Sequence, residues 1–135
     1  MNVKPTTRGM PILDRNKILI IEDDSDLRRG LNLRLRACNY DTAFAADAVM
    51  ALNIAKKELP DLILLDLGLP GGDGFLVLER MKNIASLACT PVIVLSARDP
   101  KANEKRALDA GAEAFFQKPV DNQELMTAIH RALMR

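Results

Sequence analysis

Several short apolar runs in this chain end on side chains that can do chemistry. Ile18-Leu19-Ile20-Ile21 runs into Glu22-Asp23-Asp24, Leu62-Ile63-Leu64-Leu65 into Asp66, and Val92-Ile93-Val94-Leu95 into Ser96, while Ala114-Phe115-Phe116 leads to Lys118-Pro119. Carboxylates gathered in one place repel one another, and their common solution is a hard divalent cation with oxygen ligands. Mg²⁺ takes one or two carboxylates, keeps several waters and completes its shell with phosphate oxygens, so such a cluster suits work on a phosphorylated partner. With charge neutralised by the ion and by Lys118, the Asp66 carboxylate could attack phosphorus in line and become an aspartyl phosphate. Ser96 would then donate a hydrogen bond to the new group.

That chemistry requires the run ends to meet, and the elements between them decide whether they do. From Lys17 onward, short apolar runs alternate with longer segments of helical period, five times over, which is the pattern of βαβ units and a parallel sheet. The three uninterrupted runs read as central strands covered on both faces. The weaker runs Thr42-Ala43-Phe44-Ala45 and Ala114-Phe115-Phe116 read as strands nearer the edges. Apolar stripes at helical spacing follow: Leu27, Leu31, Leu35 and Cys38; Ala48, Leu52, Ala55 and Leu59; Phe75, Leu78 and Met81; Leu125, Ala128, Ile129, Ala132 and Leu133. The segment from Lys101 to Ala110 leaves only Ala102, Ala107, Leu108 and Ala110 for burial, so the fourth helix should be loosely held.

Punctuation agrees with these boundaries. Asp99-Pro100 offers an N-cap with proline at the first helical position, Asp121 to Glu124 has capping-box spacing, Gly111 suits a left-handed C-cap, and Pro60 and Pro91 precede strands. The predicted fold is α/β, a five-stranded parallel sheet in flavodoxin-like order 2-1-3-4-5 flanked by five helices. Ligands of such sheets bind outside the C-terminal strand ends, where strand order reverses. In that order Glu22, Asp23, Asp66, Ser96 and Lys118 converge on one edge.

Bulk composition bounds the alternatives. With 135 residues, 48% hydrophobic and 27% charged, the chain reads as one domain with a real core, spanning residues 17–135 after a flexible extension at 1–16. Lys and Arg total 19 against 18 Asp and Glu, a net charge of +1, so no broad field grips nucleic acid or an anionic membrane. Cys38 and Cys89 have no CxxC spacing and no neighbouring His cluster; they read as small buried hydrophobes in a reducing cytoplasm. No run approaches the apolar length that spans a bilayer.

The segments ILIIEDD at 18–24, PDLILLDLGLPGGDG at 60–74, PVIVLSA at 91–97 and AGAEAFFQKP at 110–119 together resemble the response regulator receiver family, over Lys17 to about Arg135. The resemblance implies a phosphoacceptor at Asp66, phosphorylated by a sensor histidine kinase or a histidine phosphotransfer protein, and a Mg²⁺ cofactor. It implies Asp23 and Asp66 as direct ligands, Glu22 acting mainly through water, and the Gly68 backbone carbonyl turned to the metal. Ser96 falls at the hydroxyl switch position, Phe115 at the aromatic switch position and Lys118 at the phosphate-contacting position, and the Lys118–Pro119 bond is expected to be cis. Such a domain is a switch rather than an enzyme, although it takes part in its own Mg²⁺-dependent phosphorylation and dephosphorylation. Its partner is a downstream effector or an output domain beyond this chain, with a dimer on activation left open.

Other residues carry blander readings. Asp24 reads as a helix cap, Gly71-Gly72-Asp73-Gly74 as a turn, and His130 as a solvated surface residue. A haloacid-dehalogenase-like phosphohydrolase needs a second Asp two residues beyond its nucleophile, where this chain has Gly68. A nucleotide- or flavin-binding module needs a Gly- or Thr-rich loop where this chain has Glu22-Asp23-Asp24-Ser25. Gly68 and Arg98 leave no side chain to orient an attacking water, so a phosphorylated form should be long-lived.

Overall fold

Alternation of buried side chains along three central strands builds the molecule. The computed structural model describes residues 3–5, 11–13 and 15–134. Strands β3 (Lys17–Ile21), β5 (Leu62–Asp66) and β6 (Val92–Ser96) lie at the centre of a five-stranded sheet, with β4 (Asp41–Ala45) and β7 (Ala114–Gln117) at its edges. All four pairings are parallel, in the order β4-β3-β5-β6-β7. Counting from β3 as the first strand, this is the expected 2-1-3-4-5. Separately, β1 (Val3–Pro5) and β2 (Pro11–Leu13) pair antiparallel, Lys4 opposite Ile12. The remaining residues of the expected N-terminal extension before Arg15 lie outside the described residues.

Because successive side chains of a strand point to opposite faces, each central strand feeds two cores. Leu19, Ile21, Ile63, Leu65, Val92 and Val94 pack with residues of α2 (Ala48–Glu58), α3 (Gly74–Lys82) and α4 (Pro100–Asp109). Ile18, Ile20, Leu62, Leu64, Ile93 and Leu95 pack with α1 (Ser25–Ala37) and α5 (Asn122–Leu133). Each fully buried Leu, Ile or Val contributes roughly 1.5–3 kcal/mol relative to exposure. These three strands are therefore firmly anchored, each almost wholly buried.

All five helices of the domain start on an aspartate. Asp24, Asp47, Asp73, Asp99 and Asp121 each accept a backbone N–H of the following turn, which satisfies an orphan donor and complements the helix dipole. Asp99-Pro100 and Asp121 act as expected, Asp121 accepting from the Glu124 N–H at 3.0 Å. Gly111 takes φ +107 after α4, and Gly71 and Gly72 take positive φ in the turn before α3.

Burial departs from the expected stripes at helix ends. Cys38 and Cys89 are exposed rather than buried: Cys38 is the C-cap of α1, past its last buried residue Leu35, and Cys89 lies in the loop after α3. Leu59 leaves the α2 stripe because the helix stops at Glu58 ahead of Pro60; Leu59 turns left-handed at φ 47 and is 56% exposed. On α4 only Ala107 is buried, while Ala102 and Leu108 face outward, so that helix is held even more thinly than its sequence implied. A guanidinium supplements it, Arg106 lying 3.8 Å from the ring centroid of buried Phe75 on α3.

Gly74 shows how closely β5 and α3 approach. A Cβ there would meet the Leu67 backbone at 2.5–2.9 Å, where no flexible side chain can yield. Gly74→Ala is expected to destabilise the domain by about 3 kcal/mol in urea unfolding, the upper range for overpacking. Gly30→Ala on α1, whose Cβ would meet nothing nearer than 3.6 Å, should stabilise it by about 0.5–1 kcal/mol. Equal stability of the two variants would contradict this packing.

Candidate functional site

Register brings the strand ends together. Ile21 stands level with Leu65, so Glu22 continues β3 beside Asp66, the last residue of β5. Asp66 is level with Leu95, which puts Ser96 one residue further out, and Ser96 is level with Gln117. Lys118 follows, its N–H donating to the Ser96 carbonyl at 2.7 Å. The expected residues thus converge across β3, β5, β6 and the β7–α5 loop, and the Lys118–Pro119 bond is cis.

Three of the five converging polar residues are buried: Glu22 is 2% exposed, Asp66 7% and Ser96 1%. Lys118 Nζ donates to Glu22 Oε1 at 2.6 Å and lies 3.5 Å from Asp66 Oδ1. The Asp24 N–H donates to Glu22 Oε2 at 3.2 Å, and the Gly68 N–H donates to Asp66 Oδ1 at 3.1 Å. Burial holds the Glu22 carboxyl above the usual glutamate range and the Asp66 charge pushes the same way; the hydrogen bonds from Lys118 and the Asp24 N–H only partly offset them.

Asp23 completes the cluster from its exposed rim. One carboxylate oxygen from each of Glu22, Asp23 and Asp66 lies within 4.8 Å of the others. Three carboxylates face one ammonium, so the ionised group carries an excess of about two negative charges, and every donor is a hard oxygen. That set fits Mg²⁺ or a similar hard divalent cation and lacks the soft or imidazole ligands favoured by zinc or copper.

The two expected switch residues are placed differently. The Ser96 hydroxyl accepts the Arg98 N–H at 3.0 Å, so it is engaged by its own loop. Phe115 is half-buried against the core on the side of α2, α3 and α4. His130 is exposed on α5, as its bland reading held, and Asp24 caps α1.

Several neighbours of the site had no sequence signal. Phe75 reads only as core, yet Arg98 and Arg106 both lie over its ring, at 5.8 and 3.8 Å from the centroid. Arg28 on α1 reaches back to the acidic loop, its Nη1 donating to the Glu22 carbonyl at 2.7 Å. Contacts of long arginines across separate elements leave no fixed spacing to find.

Comparison with known proteins agrees with this geometry. The response regulator receiver domain profile matches residues 18–130. The KDP operon transcriptional regulatory protein KdpE of Escherichia coli is 39% identical over 118 residues, covering 87% of this chain and 51% of that protein. The response regulator PleD of Caulobacter vibrioides is 35% identical over 119 residues, covering 88% of this chain and 26% of PleD. The chain thus spans about half the length of KdpE and less of PleD. Among solved structures, a response regulator from Chloroflexus aurantiacus superimposes with a TM-score of 0.85 at 30% identity, covering 90% of this chain and all of the other. The receiver domain of a sensor histidine kinase from Pseudomonas aeruginosa, solved with magnesium coordinated in its active site cleft, superimposes with a TM-score of 0.82 at 25% identity, covering 90% of this chain and all of that one. Fold, converging side chains and sequence agree: the chain belongs to the response regulator receiver domain family, the signalling module of two-component systems.

Proposed function

We propose that Asp66 is the phosphoacceptor, that a Mg²⁺ ion is held by Asp23, Asp66 and the Gly68 carbonyl with Glu22 acting mainly through water, and that Lys118 contacts the transferred group. The observation that carries this is the ammonium of Lys118 lying against Glu22 at 2.6 Å and Asp66 at 3.5 Å, with Asp23 beside them. A buried carboxylate so placed is a nucleophile whose charge is partly offset but whose oxygen is not consumed by a tight ion pair. Bound there, the ion would supply charge neutralisation across the acceptor and the incoming phosphoryl oxygens.

The donor is a phosphohistidine of a sensor kinase or histidine phosphotransfer protein. An Asp66 oxygen forms the new O–P bond as the N–P bond breaks, and the electron pair returns to the imidazole, which gains a proton from solvent. Lys118 follows the negative charge from Glu22 towards the phosphoryl oxygens. Gly68 leaves open space beside the acceptor, since a Cβ there would meet only the Asp66 oxygens, at 3.9 and 4.0 Å. With no side chain at that place to orient water, hydrolysis of the acyl phosphate is slow.

Signalling follows from two coupled residues. Phosphorylated Asp66 draws the Ser96 hydroxyl away from the Arg98 N–H, and Phe115 moves into the space released, which shifts a pre-existing equilibrium of α4 and the adjoining α5 face. Residues 17–135 form this domain and 1–16 an extension to it. Among the described residues no helix is long and apolar enough to cross a membrane, and we place the protein in the cytoplasm. Its output passes to an effector protein or a further domain, with no direct contact to nucleic acid and with dimerisation on activation as one route.

Incubation with a small phosphodonor and Mg²⁺ should add one acid-stable, base-labile phosphoryl group that persists for minutes or longer. Asp66→Asn should abolish the label, whereas labelling retained in that variant, or steady turnover of the donor, would refute the assignment. A label lasting seconds would overturn its persistence.

Mg²⁺ at about ten times its dissociation constant should stabilise the domain by about 1.4 kcal/mol in thermal unfolding at fixed ionic strength. Asp66→Asn should remove most of that gain, and an unchanged gain would place the ion elsewhere. Amides from Lys101 to Asp109 should change their hydrogen-exchange rates on phosphorylation, because an element whose one buried side chain is Ala107 shifts at little cost. Unchanged exchange there would contradict the α4 route.

A further inference from the structure

Three acidic side chains in a row leave β3 in three directions. Glu22 turns inward to Lys118, Asp23 stays exposed at the rim of the cluster, and Asp24 turns onto the N–H groups of Asp26 and Leu27 at the start of α1. Mutual repulsion favours spreading these carboxylates apart, so a short loop of this composition needs a restraint on its backbone. The side chain of Arg28 supplies one. Its Nη1 donates to the Glu22 carbonyl at 2.7 Å and reaches the Asp23 carbonyl at 3.5 Å. The guanidinium carbon lies 5.9 Å from the ring centroid of Phe44 on β4, the strand whose Ala45 carbonyl accepts the Glu22 N–H at 3.0 Å. The loop is therefore held from β4 by a backbone bond and from α1 by one charged guanidinium nitrogen that reaches both carbonyls.

We propose that Arg28 is a positioning residue for divalent-cation binding: by fixing the carbonyls of Glu22 and Asp23 it aims their carboxylates at Asp66. This rests on the reading of the cluster as a Mg²⁺ site. The proposal has a sign opposite to that of simple electrostatics. A positive charge near the cluster repels Mg²⁺, so a through-space effect alone makes removal of Arg28 tighten the ion. Loss of a restraint makes it weaken. Arg29 serves as the charge control, since it is exposed on the same helix and its ion contact is Asp26 at 3.7 Å.

The test is a Mg²⁺ titration of the full chain at constant ionic strength, followed by amide NMR shifts, for the wild type, Arg28→Ala, Arg28→Lys and Arg29→Ala. Arg28→Ala should weaken Mg²⁺ on the order of tenfold, the usual size of an outer-shell effect. Arg28→Lys keeps the charge on a shorter side chain that places its nitrogen differently and should fall between it and the wild type; Arg29→Ala should bind as tightly as the wild type or tighter. In labelling with a small phosphodonor, the Mg²⁺ concentration for half-maximal rate should rise in Arg28→Ala while the rate at saturating Mg²⁺ stays within about twofold, because the ligands themselves are intact. Wild-type or tighter affinity in Arg28→Ala overturns the proposal and leaves the metal site standing. Should Arg28→Ala fail to fold, wild-type affinity in Arg28→Lys does the same. No Mg²⁺ binding by the wild type overturns the metal site itself.

Discussion

One ammonium between two buried carboxylates is the constraint on which this site depends. Glu22 and Asp66 are almost fully enclosed, and burying two like charges side by side is costly unless each finds compensation. Lys118 supplies it from the loop after β7, at 2.6 Å from one and 3.5 Å from the other. The asymmetry of these distances matters. Glu22 takes the short hydrogen bond and also the Asp24 N–H, whereas Asp66 is left with the Gly68 N–H and a longer ion contact, so it is the less tightly engaged of the two. A third carboxylate at the rim leaves the balance negative, which is the condition for attracting a divalent ion.

The scaffold keeps that arrangement rigid where it must be and loose where a signal must leave. Strands β3, β5 and β6 are packed on both faces, and the polar residues of the cluster stand at or just past their C-terminal ends. Opposite them in rigidity stands α4, whose only buried side chain is Ala107. Between the site and α4 lie the Ser96 contact to the Arg98 N–H and the stacking of Arg98 and Arg106 over Phe75. The Ser96 hydroxyl thus contacts directly the loop that starts α4.

Strand order, the edge placement of the two weaker runs and the convergence of Glu22, Asp23, Asp66, Ser96 and Lys118 were legible in the sequence. Uninterrupted apolar runs admit few topologies, and each candidate residue sits at a run's end or within two residues of it. Less legible was anything decided at helix termini or by long side chains. Cys38 and Leu59 keep helical spacing yet fall outside the core because the helices stop one residue earlier, and Leu108 continues an apolar pattern on a helix that buries only one position. Arg28, Arg98 and Arg106 act across separate elements, so their partners Glu22 and Phe75 could be found only once the fold had brought them near.

The most direct measurement of the central claim is a crystal structure of the chain with Mg²⁺ and a beryllofluoride phosphate mimic. The account predicts the mimic joined to an Asp66 carboxylate oxygen, the ion between Asp23 and Asp66, and Lys118 turned from Glu22 towards the mimic. An empty cluster with Lys118 still on Glu22, or a mimic attached at any other side chain, would contradict it.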